Sequence, residues 1–426
     1  MGDQQFGGVH PCRLCGEPLH RTVIDLGSAP PCEAFLTSAS AQLGEVHFPL
    51  RVQICDACLL MQLGQFQPVE EIFADTYPYF SSFSTSWVEH ARRYVEEMVA
   101  RLDLNAGSLV AEVAANDGYL LQHVQAAGIP AYGIEPTANT ARAARERGLS
   151  MDNVFLTQDS APDIVARRGL ADLVVANNVY AHVPDLVDFT KALALLLAPQ
   201  GTLTIEVQHA ARMIELGQFD TVYHEHFQYY TLLTLQRALA SGDLVVTDVE
   251  ELPTHGGSLR VFARHLAAVE QAGIRPSERV DQVLAAERTA GLHEVSGYLG
   301  FASAASQVKR DLLEFLLHAQ AEGATVAGYG APGKGNTMLN YCGVRSDLLA
   351  FTVDRNPHKH GLFLPGSRIP VREPEALAQA QPDYVLVLPW NLRDEISQQL
   401  AYVAQWGGRL VFAVPSLQIV EPGEAA

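Results

Sequence analysis

The sequence predicts an α/β protein in three parts: a small N-terminal module, a central sheet domain and a C-terminal domain of similar design. Two Cys-x-x-Cys pairs lie within the first 75 residues and indicate a metal-stabilised module. Two later stretches, from about residue 107 to 264 and from about residue 323 onward, alternate strand-like and helix-like segments. Such alternation is typical of a parallel sheet covered by helices on both faces.

Composition narrows the class of partner. With 48% hydrophobic and 18% charged residues, the 426-residue chain is globular rather than disordered. A net charge of −19 argues against nucleic acid or an anionic membrane as the main partner, although a local patch can still bind phosphate. We expect a cytoplasmic protein, because no apolar run approaches ~20 residues and the start lacks the regions of a signal peptide.

The two cysteine pairs are predicted to bind structural zinc. Cys12, Cys15, Cys55 and Cys58 have the spacing of two zinc knuckles, and the segment between the pairs is expected to be irregular. Four thiolates would fill a tetrahedral site and leave no open position for catalysis. A redox Cys-x-x-Cys is the alternative. The remaining thiols, Cys32 and Cys342, are interpreted as structural.

A strand–turn–helix pattern at Ala111–Leu121 predicts a ligand site. Glu112 lies in the strand, and Asn116, Asp117 and Gly118 form the turn, where glycine would let the backbone approach a ligand at the helix start. Glu135 ends the next strand, where an acid can hold two ribose hydroxyls. The alternative is an ordinary turn with surface acids.

The strands of the central part suggest a particular fold. The last connection, LPTHGGS, is too short for a crossover helix, so the final strand should be antiparallel to its neighbour. Seven strands ending in one reversed hairpin resemble the class I S-adenosylmethionine-dependent methyltransferase fold, and a Gly-x-Gly-x-x-Gly turn is missing after the first strand. The expected strands are Ser108–Val113, Ala131–Ile134, Val154–Leu156, Asp172–Ala176, Gly201–Val207, Val245–Val249 and Ser258–Ala263.

Histidine, tyrosine and acid residues gather where these strands end. Asn177 and His182 follow one strand, and the consecutive residues 223–226 (Tyr-His-Glu-His) follow the next. In an extended strand, Tyr223 and Glu225 would share one face, and the two histidines the other. An acid–base cluster is favoured over a set of structural histidines and over a zinc site at the His-x-His pair.

Two further segments are candidates for substrate binding. Tyr77–Trp87, rich in aromatic and hydroxyl residues, is either a packed connector or a flap that presents hydroxyls to a polar ligand. In the C-terminal part, the glycine-rich turn 328–335 with Lys334 could approach a phosphate, and Gly335 replaces the hydroxyl residue of a P-loop. Because this turn also matches Gly-x-Gly-x-x-Gly with Asp354 downstream, a nicotinamide-dependent oxidoreductase is an alternative.

The motifs in order resemble the sugar C-methyltransferases, which act on TDP-linked 4-keto-deoxysugars in antibiotic pathways. They are the cysteine pairs, YPYFSS, EVAANDGYLL, NNVYAHV, FDTVYHEHFQYY, THGGSLR and GYGAPGKGNT. The resemblance implies a zinc module (1–75), a methyltransferase domain (76–265), a helical connector (266–314) and a Rossmann-like nucleotide-sugar domain (315–426). S-adenosylmethionine would be the methyl donor and the chain a monomer.

The same resemblance assigns residues 116–118 and Glu135 to the donor site, His182 and three of residues 223–226 to the active site, and Tyr77 to the flap. The further contacts given below are our own expectations. Ala115 departs from the family, where serine is more frequent. The donor would contact Glu112, Asn116, Asp117, Gly118, Glu135 and Asn177. Catalysis would involve His182, Tyr223, Glu225 and His226. The substrate would contact Tyr77, Tyr79, Ser82, His255, Arg260, Lys334 and Asn336.

The predicted chemistry suits these residue types. Methylation beside a ketone, at C-3 in preference to C-5, needs a base and a group that holds the enolate oxygen. The base is His182, His226 or a Tyr223–His pair, and the sequence leaves these alternatives open. An O- or N-methyltransferase and a non-enzymatic nucleotide-binding adaptor remain the rival functions.

Overall fold

The computed structural model describes residues 10–73, 75 and 77–422, and within them the chain forms three sheets with helices around them. This confirms the predicted α/β class. The strands are β1 (Arg21–Ala29), β2 (Phe48–Ile54), β3 (Met61–Leu63), β4 (Val110–Val113), β5 (Ala131–Ile134), β6 (Met151–Asp152), β7 (Ala171–Asn177), β8 (Leu197–Gln208), β9 (Gln228–Tyr229), β10 (Leu244–Leu252), β11 (Ser258–His265), β12 (Val326–Tyr329), β13 (Thr352–Val353), β14 (Val371–Arg372), β15 (Tyr384–Val387), β16 (Arg409–Phe412) and β17 (Gln418–Val420).

The helices lie between these strands or connect the sheets, and no helix in the described part of the chain is long and apolar enough to cross a membrane. They are α1 (Val69–Ile72), α2 (Thr85–Leu102), α3 (Leu121–Ala126), α4 (Ala138–Glu146), α5 (Ala161–Arg168), α6 (Leu186–Leu196), α7 (Ala210–Glu215), α8 (Leu232–Ala240), α9 (Leu266–Ala272), α10 (Glu278–Thr289), α11 (Phe301–Ala321), α12 (Gly333–Cys342), α13 (Glu375–Ala380) and α14 (Arg393–Gln399).

The N-terminal module is a sheet of order β1-β2-β3-β9, antiparallel throughout. The expectation of an irregular segment between the cysteine pairs was wrong, because β1 and β2 pair in an antiparallel sheet and β2 buries every second residue of its second half. The last strand, β9, comes from the central part of the chain, directly after the predicted catalytic stretch. The first nine residues of the expected module lie outside the described residues.

The central sheet has the order β10-β11-β8-β7-β4-β5-β6. Its inner strands pair in parallel, and β11 runs antiparallel to both β10 and β8, as the short LPTHGGS connection predicted. Strand β4 is buried along its whole length, as expected for a strand with helices on both faces. One strand was misplaced: β6 lies at Met151–Asp152, and Val154–Leu156 instead follow it and line a cavity.

The C-terminal sheet has the order β14-β13-β12-β15-β16-β17, with β17 antiparallel to β16. Strands β12 to β16 confirm the alternation of strand and helix predicted from about residue 323 onward, and β17 was not predicted. The segment expected to be a helical connector contains α9, α10 and most of α11. Its long helix α11 buries Phe301, Leu312 and other residues in a core shared with β1, β2 and the C-terminal sheet. The N-terminal and C-terminal parts therefore fold around one hydrophobic core.

Candidate active site and zinc centre

The four cysteines of the two Cys-x-x-Cys pairs meet at one point. The sulfur atoms of Cys12, Cys15, Cys55 and Cys58 all lie within 4.8 Å of one another. A tetrahedral zinc with Zn–S bonds of about 2.3 Å needs sulfur separations of roughly 3.8 Å, so this set fits the ion. Gln62 Nε2 donates to Cys12 Sγ at 3.2 Å, as an outer partner of a thiolate would. The protein therefore binds structural zinc, with no ligand position left open for chemistry.

A cavity of about 920 Å³ lies between the three parts of the molecule. Its wall carries the ends of β4, β5 and β7 on one side and the glycine turn before α12 on the other. The segment Tyr77–Trp87 also lies on this wall. Most predicted donor, catalytic and substrate residues lie in or beside this one space.

The turn after β4, called the donor turn below after the ligand predicted for it, lies on one side of the cavity. Asn116 has a positive φ of 49°, and its amide donates to Glu135 Oε2 at 2.9 Å. The other carboxylate oxygen of Glu135 accepts from the amide and the hydroxyl of Thr137, and burial still raises the pKa of Glu135. Both Asn116 and Glu135 line the cavity, as does Asn177, whose buried Oδ1 has no hydrogen-bond partner among the described residues.

Three of the expected donor ligands lie behind this turn and not on the cavity wall. Gly118, at φ 81°, packs on Leu149, whose Cδ1 would lie only 2.1 Å from an added Cβ, so packing requires the glycine. Glu112 is buried in β4, where desolvation, Glu135 and Asp117 raise its pKa. The buried Asp117 forms an ion pair with Arg147 at 3.3 Å. These residues shape the turn that Asn116 and Glu135 present.

The aromatic segment is hydrogen-bonded to the donor turn and reaches the predicted catalytic residues. Asn116 Oδ1 accepts from the Ser81 amide at 2.9 Å, and Asn116 Nδ2 donates to the Tyr79 carbonyl at 3.1 Å. Tyr77 and Tyr79 line the cavity, as a flap would. The expectation for Ser82 fails, because its hydroxyl bonds Asp117 behind the turn.

Tyr223 and His226 form a hydrogen-bonded pair on the cavity wall. The Tyr223 hydroxyl and His226 Nε2 are 2.7 Å apart, and His226 Nδ1 lies 3.0 Å from the Thr221 carbonyl. Because a carbonyl only accepts, Nδ1 carries the proton and Nε2 is the free base of a neutral imidazole. The pKa of His226 lies well below its usual value, mainly because the ring is buried and also because His182 is close to it.

Residues 223–226 do not form the expected strand. They follow a short 3-10 turn at Phe219–Thr221, and the His226 amide donates to the Tyr223 carbonyl at 2.9 Å. Tyr223, Glu225 and His226 thereby all line the cavity, while the His224 ring turns to the Phe48 carbonyl at 3.2 Å. The face assignment from period-two alternation was wrong. Because the His224 ring faces the Phe48 carbonyl and the His226 ring lines the cavity, the His-x-His pair does not present both rings to one metal ion.

His182 and Glu225 complete this cluster. The His182 ring packs edge-on to His226 with centroids 4.7 Å apart, and burial lowers the pKa of His182 to about 4. Glu225 Oε2 accepts from the Tyr77 hydroxyl at 3.2 Å. Burial, then the charge of Glu33, raises the pKa of Glu225 to about 8, so this carboxyl is mostly protonated at pH 7. The cluster is neutral and can take or give a proton without exposing a charge to water.

Of the predicted substrate residues in the later parts, His255 and Lys334 line the cavity. Lys334 is 9% exposed, and its Nζ donates to the His255 carbonyl at 3.1 Å. Arg260 and Asn336 were also predicted to contact the substrate, but neither lines the cavity. Arg260 is buried at the sheet, in ion pairs with Glu206, Glu97 and Glu250. Asn336 Nδ2 donates to the Cys32 carbonyl at 2.6 Å and so holds a loop of the zinc module.

Sequence reasoning missed Cys32, Glu33 and Lys359, which line the same cavity. Cys32, interpreted as a structural thiol, thus lies on the cavity wall. The first two residues belong to the loop after β1, in a module interpreted as purely structural. No local motif marks them, because their position depends on how the zinc module docks on the C-terminal domain.

Comparison with protein families matches the chain in three consecutive pieces. They are described as "Putative zinc binding domain" (residues 12–73), "Methyltransferase domain" (87–249) and "C-methyltransferase C-terminal domain" (253–415). The second match agrees with the order of the central sheet and with the donor turn. The class is therefore that of an S-adenosylmethionine-dependent methyltransferase, which also binds zinc.

Among known proteins, the C-methyltransferase NovU of Streptomyces niveus is 36% identical over 412 residues, covering 97% of each chain. A ubiquinone biosynthesis O-methyltransferase of Methylobacterium sp. (strain 4-46) is 27% identical over 178 residues, covering 38% of this chain and 70% of its own. A solved methyltransferase from Anabaena variabilis is 14% identical with a TM-score of 0.37, covering 46% of this chain and 91% of its own. The chain belongs to the family of S-adenosylmethionine-dependent C-methyltransferases.

The role of Glu135 can be tested through donor affinity. We expect Glu135→Gln to weaken S-adenosylmethionine binding by roughly 10- to 100-fold, because a charge-assisted hydrogen bond to a ribose hydroxyl is lost. Isothermal titration calorimetry measures this, and Glu146→Gln, exposed on α4, is the matched control. An unchanged dissociation constant in Glu135→Gln would exclude this residue as a donor ligand.

Proposed function

We propose that this C-methyltransferase acts on a TDP-linked 4-keto-deoxysugar and methylates the carbon beside the ketone, C-3 in preference to C-5. One observation carries the proposal: the cavity that holds the donor turn also holds a neutral histidine with its free nitrogen on a tyrosine hydroxyl. Carbon methylation needs a proton acceptor in a dry site, which is what this pair offers. The motif resemblance supports the TDP-linked 4-keto-deoxysugar as substrate.

The chain's own residues would divide the work as follows. Asn116, Glu135 and Asn177 would hold the donor, which supplies an electrophilic methyl group when bound. The Tyr223–His226 pair would accept the proton from the ring carbon, with the proton ending on His226 Nε2. Protonated Glu225, whose Oε2 accepts from the Tyr77 hydroxyl at 3.2 Å, can donate a hydrogen bond to the developing enolate oxygen.

The remaining parts of the cavity would hold the rest of the substrate. Lys334 belongs to the glycine turn on the wall formed by the C-terminal domain, where its charge would balance a diphosphate. One chain supplies both the donor turn and the catalytic cluster, which supports a monomer, and we expect it to work in the cytoplasm.

Incubation in deuterated water tests the function directly. With S-adenosylmethionine and a TDP-4-keto-deoxysugar, we expect exchange at one ring carbon and a product heavier by one CH₂. Nuclear magnetic resonance of the product locates both changes. Methyl transfer to an oxygen or nitrogen, without exchange at carbon, would overturn the proposal.

A further inference from the structure

The loop after β1 brings the zinc module into the cavity. Cys32 and Glu33 lie on the cavity wall, and the Asn336 side chain holds the Cys32 carbonyl from helix α12. An added Cβ at Gly333 would lie 2.9 Å from Cys32 Sγ and 3.5 Å from Glu33 Oε1. The loop therefore sits directly on the start of α12, where any side chain would displace it.

Glu33 keeps a free hydrogen-bond acceptor in this position. Its Oε2 is shielded from water and has no hydrogen-bond partner in the described part of the chain. Lys359 Nζ lies 3.6 Å from it, a distance for an ion pair but too long for a hydrogen bond. Lys359 donates instead to the Ala331 carbonyl at 2.8 Å. The ammonium group therefore attracts the Glu33 carboxylate but leaves its Oε2 without a hydrogen bond.

A free buried carboxylate oxygen is costly unless something donates to it. Glu33 acts on the acceptor side of the cavity, because its charge helps raise the pKa of Glu225, and the Cys32 thiol lies 3.9 Å from the same Glu225 carboxyl. The donor turn is built from other residues. The group that satisfies Glu33 should therefore belong to the methyl acceptor.

We propose that Glu33 is a specificity-determining residue, which accepts a hydrogen bond from a hydroxyl or ammonium substituent of the acceptor ring. The proposal rests on the proposed function and adds to it a role for the zinc module. The metal holds the cysteine pairs that flank β1, the loop and β2. The loop in turn places Glu33 where it would contact the substrate. Zinc itself takes no part in the reaction.

Acceptor analogues and two variants test this. Kinetics are measured on three nucleotide-linked ketosugars that carry hydroxyl, amine or hydrogen at the ring carbon next to the methylation site. Glu33→Leu removes the acceptor, so kcat/KM should fall roughly 10- to 100-fold for a substituent that donates to Glu33 and hardly change for the hydrogen analogue. Glu33→Gln keeps an oxygen acceptor but no charge, so an ammonium should lose more than a hydroxyl.

Glu45→Gln is the matched control. Glu45 also joins the N-terminal part to the C-terminal domain, through Gly366 and Arg368, but it does not line the cavity. We expect wild-type selectivity in Glu45→Gln, and wild-type zinc content and donor affinity in all variants. Equal losses for all three analogues in Glu33→Leu would overturn the inference alone. No carbon methylation of any analogue by the wild type would overturn the proposed function as well.

Discussion

Replacement of His226 by alanine should lower kcat by roughly 10²- to 10⁴-fold, the range that a positioned general base contributes. The Thr221 carbonyl fixes the proton on Nδ1 of His226, and Nε2, 2.7 Å from the Tyr223 hydroxyl, is left as the acceptor. Burial keeps this imidazole neutral at physiological pH. Alanine leaves Tyr223 with a pKa far above its usual value, because the phenol is buried beside other acidic groups.

Proton exchange separates this role from a loss of structure. In His226→Ala, exchange of the substrate's ring proton with deuterated water should stop, while S-adenosylmethionine affinity stays unchanged. His224→Ala is the control from the same loop, since that ring faces Phe48 and not the cavity. Retained exchange in His226→Ala, with exchange lost in His182→Ala, would assign the base to His182.

Loss of a zinc ligand should have the largest effect on stability. We expect Cys58→Ala to release the metal and lower the melting temperature by at least about 10 °C, because metal binding contributes folding free energy. The knuckle is also anchored from the central domain, where Arg237 donates to the Cys58 carbonyl at 2.7 Å. Elemental analysis and calorimetry measure the two effects.

Cys342→Ala provides the comparison for this experiment. Cys342 is buried, as Cys58 is, but lies in α12, away from the cluster. Its replacement should leave one zinc per chain and change the melting temperature by a few degrees at most. A zinc-free Cys58→Ala protein with unchanged melting temperature would contradict a stabilising role for the metal.

The order of strands and helices could be predicted from the sequence, because hydrophobic patterns and short connections depend on residues that are close together in the chain. The LPTHGGS turn fixed the reversal of β11, and the cysteine spacing predicted the metal cluster that the structure assembles. The orientation of residues 223–226 was predicted wrongly, because they form a turn closed by the His226 amide and the Tyr223 carbonyl, and His224 faces the Phe48 carbonyl instead of the cavity.

Positions that depend on packing between distant segments could not be predicted. Arg260 lies in the THGGSLR motif and was predicted to contact the substrate. In the structure, three carboxylates from other elements bind it at the sheet. Glu33 carried no local signal, because Gly333, three hundred residues later in the chain, provides the surface on which its loop rests. Gly118 was right as a residue that the turn requires, but the reason is Leu149 and not a ligand.

Strand β9, directly after His226, completes the sheet of the zinc module by pairing with β3. The zinc module and the central part therefore share one sheet, and neither can be exchanged with that of a relative as an independent domain. A truncation that starts after residue 75 would leave β9 as an exposed edge and uncover apolar residues such as Tyr229, both hazards for aggregation. Recombinant chimaeras of this enzyme should therefore keep residues 12–73 and the 219–230 segment from the same parent.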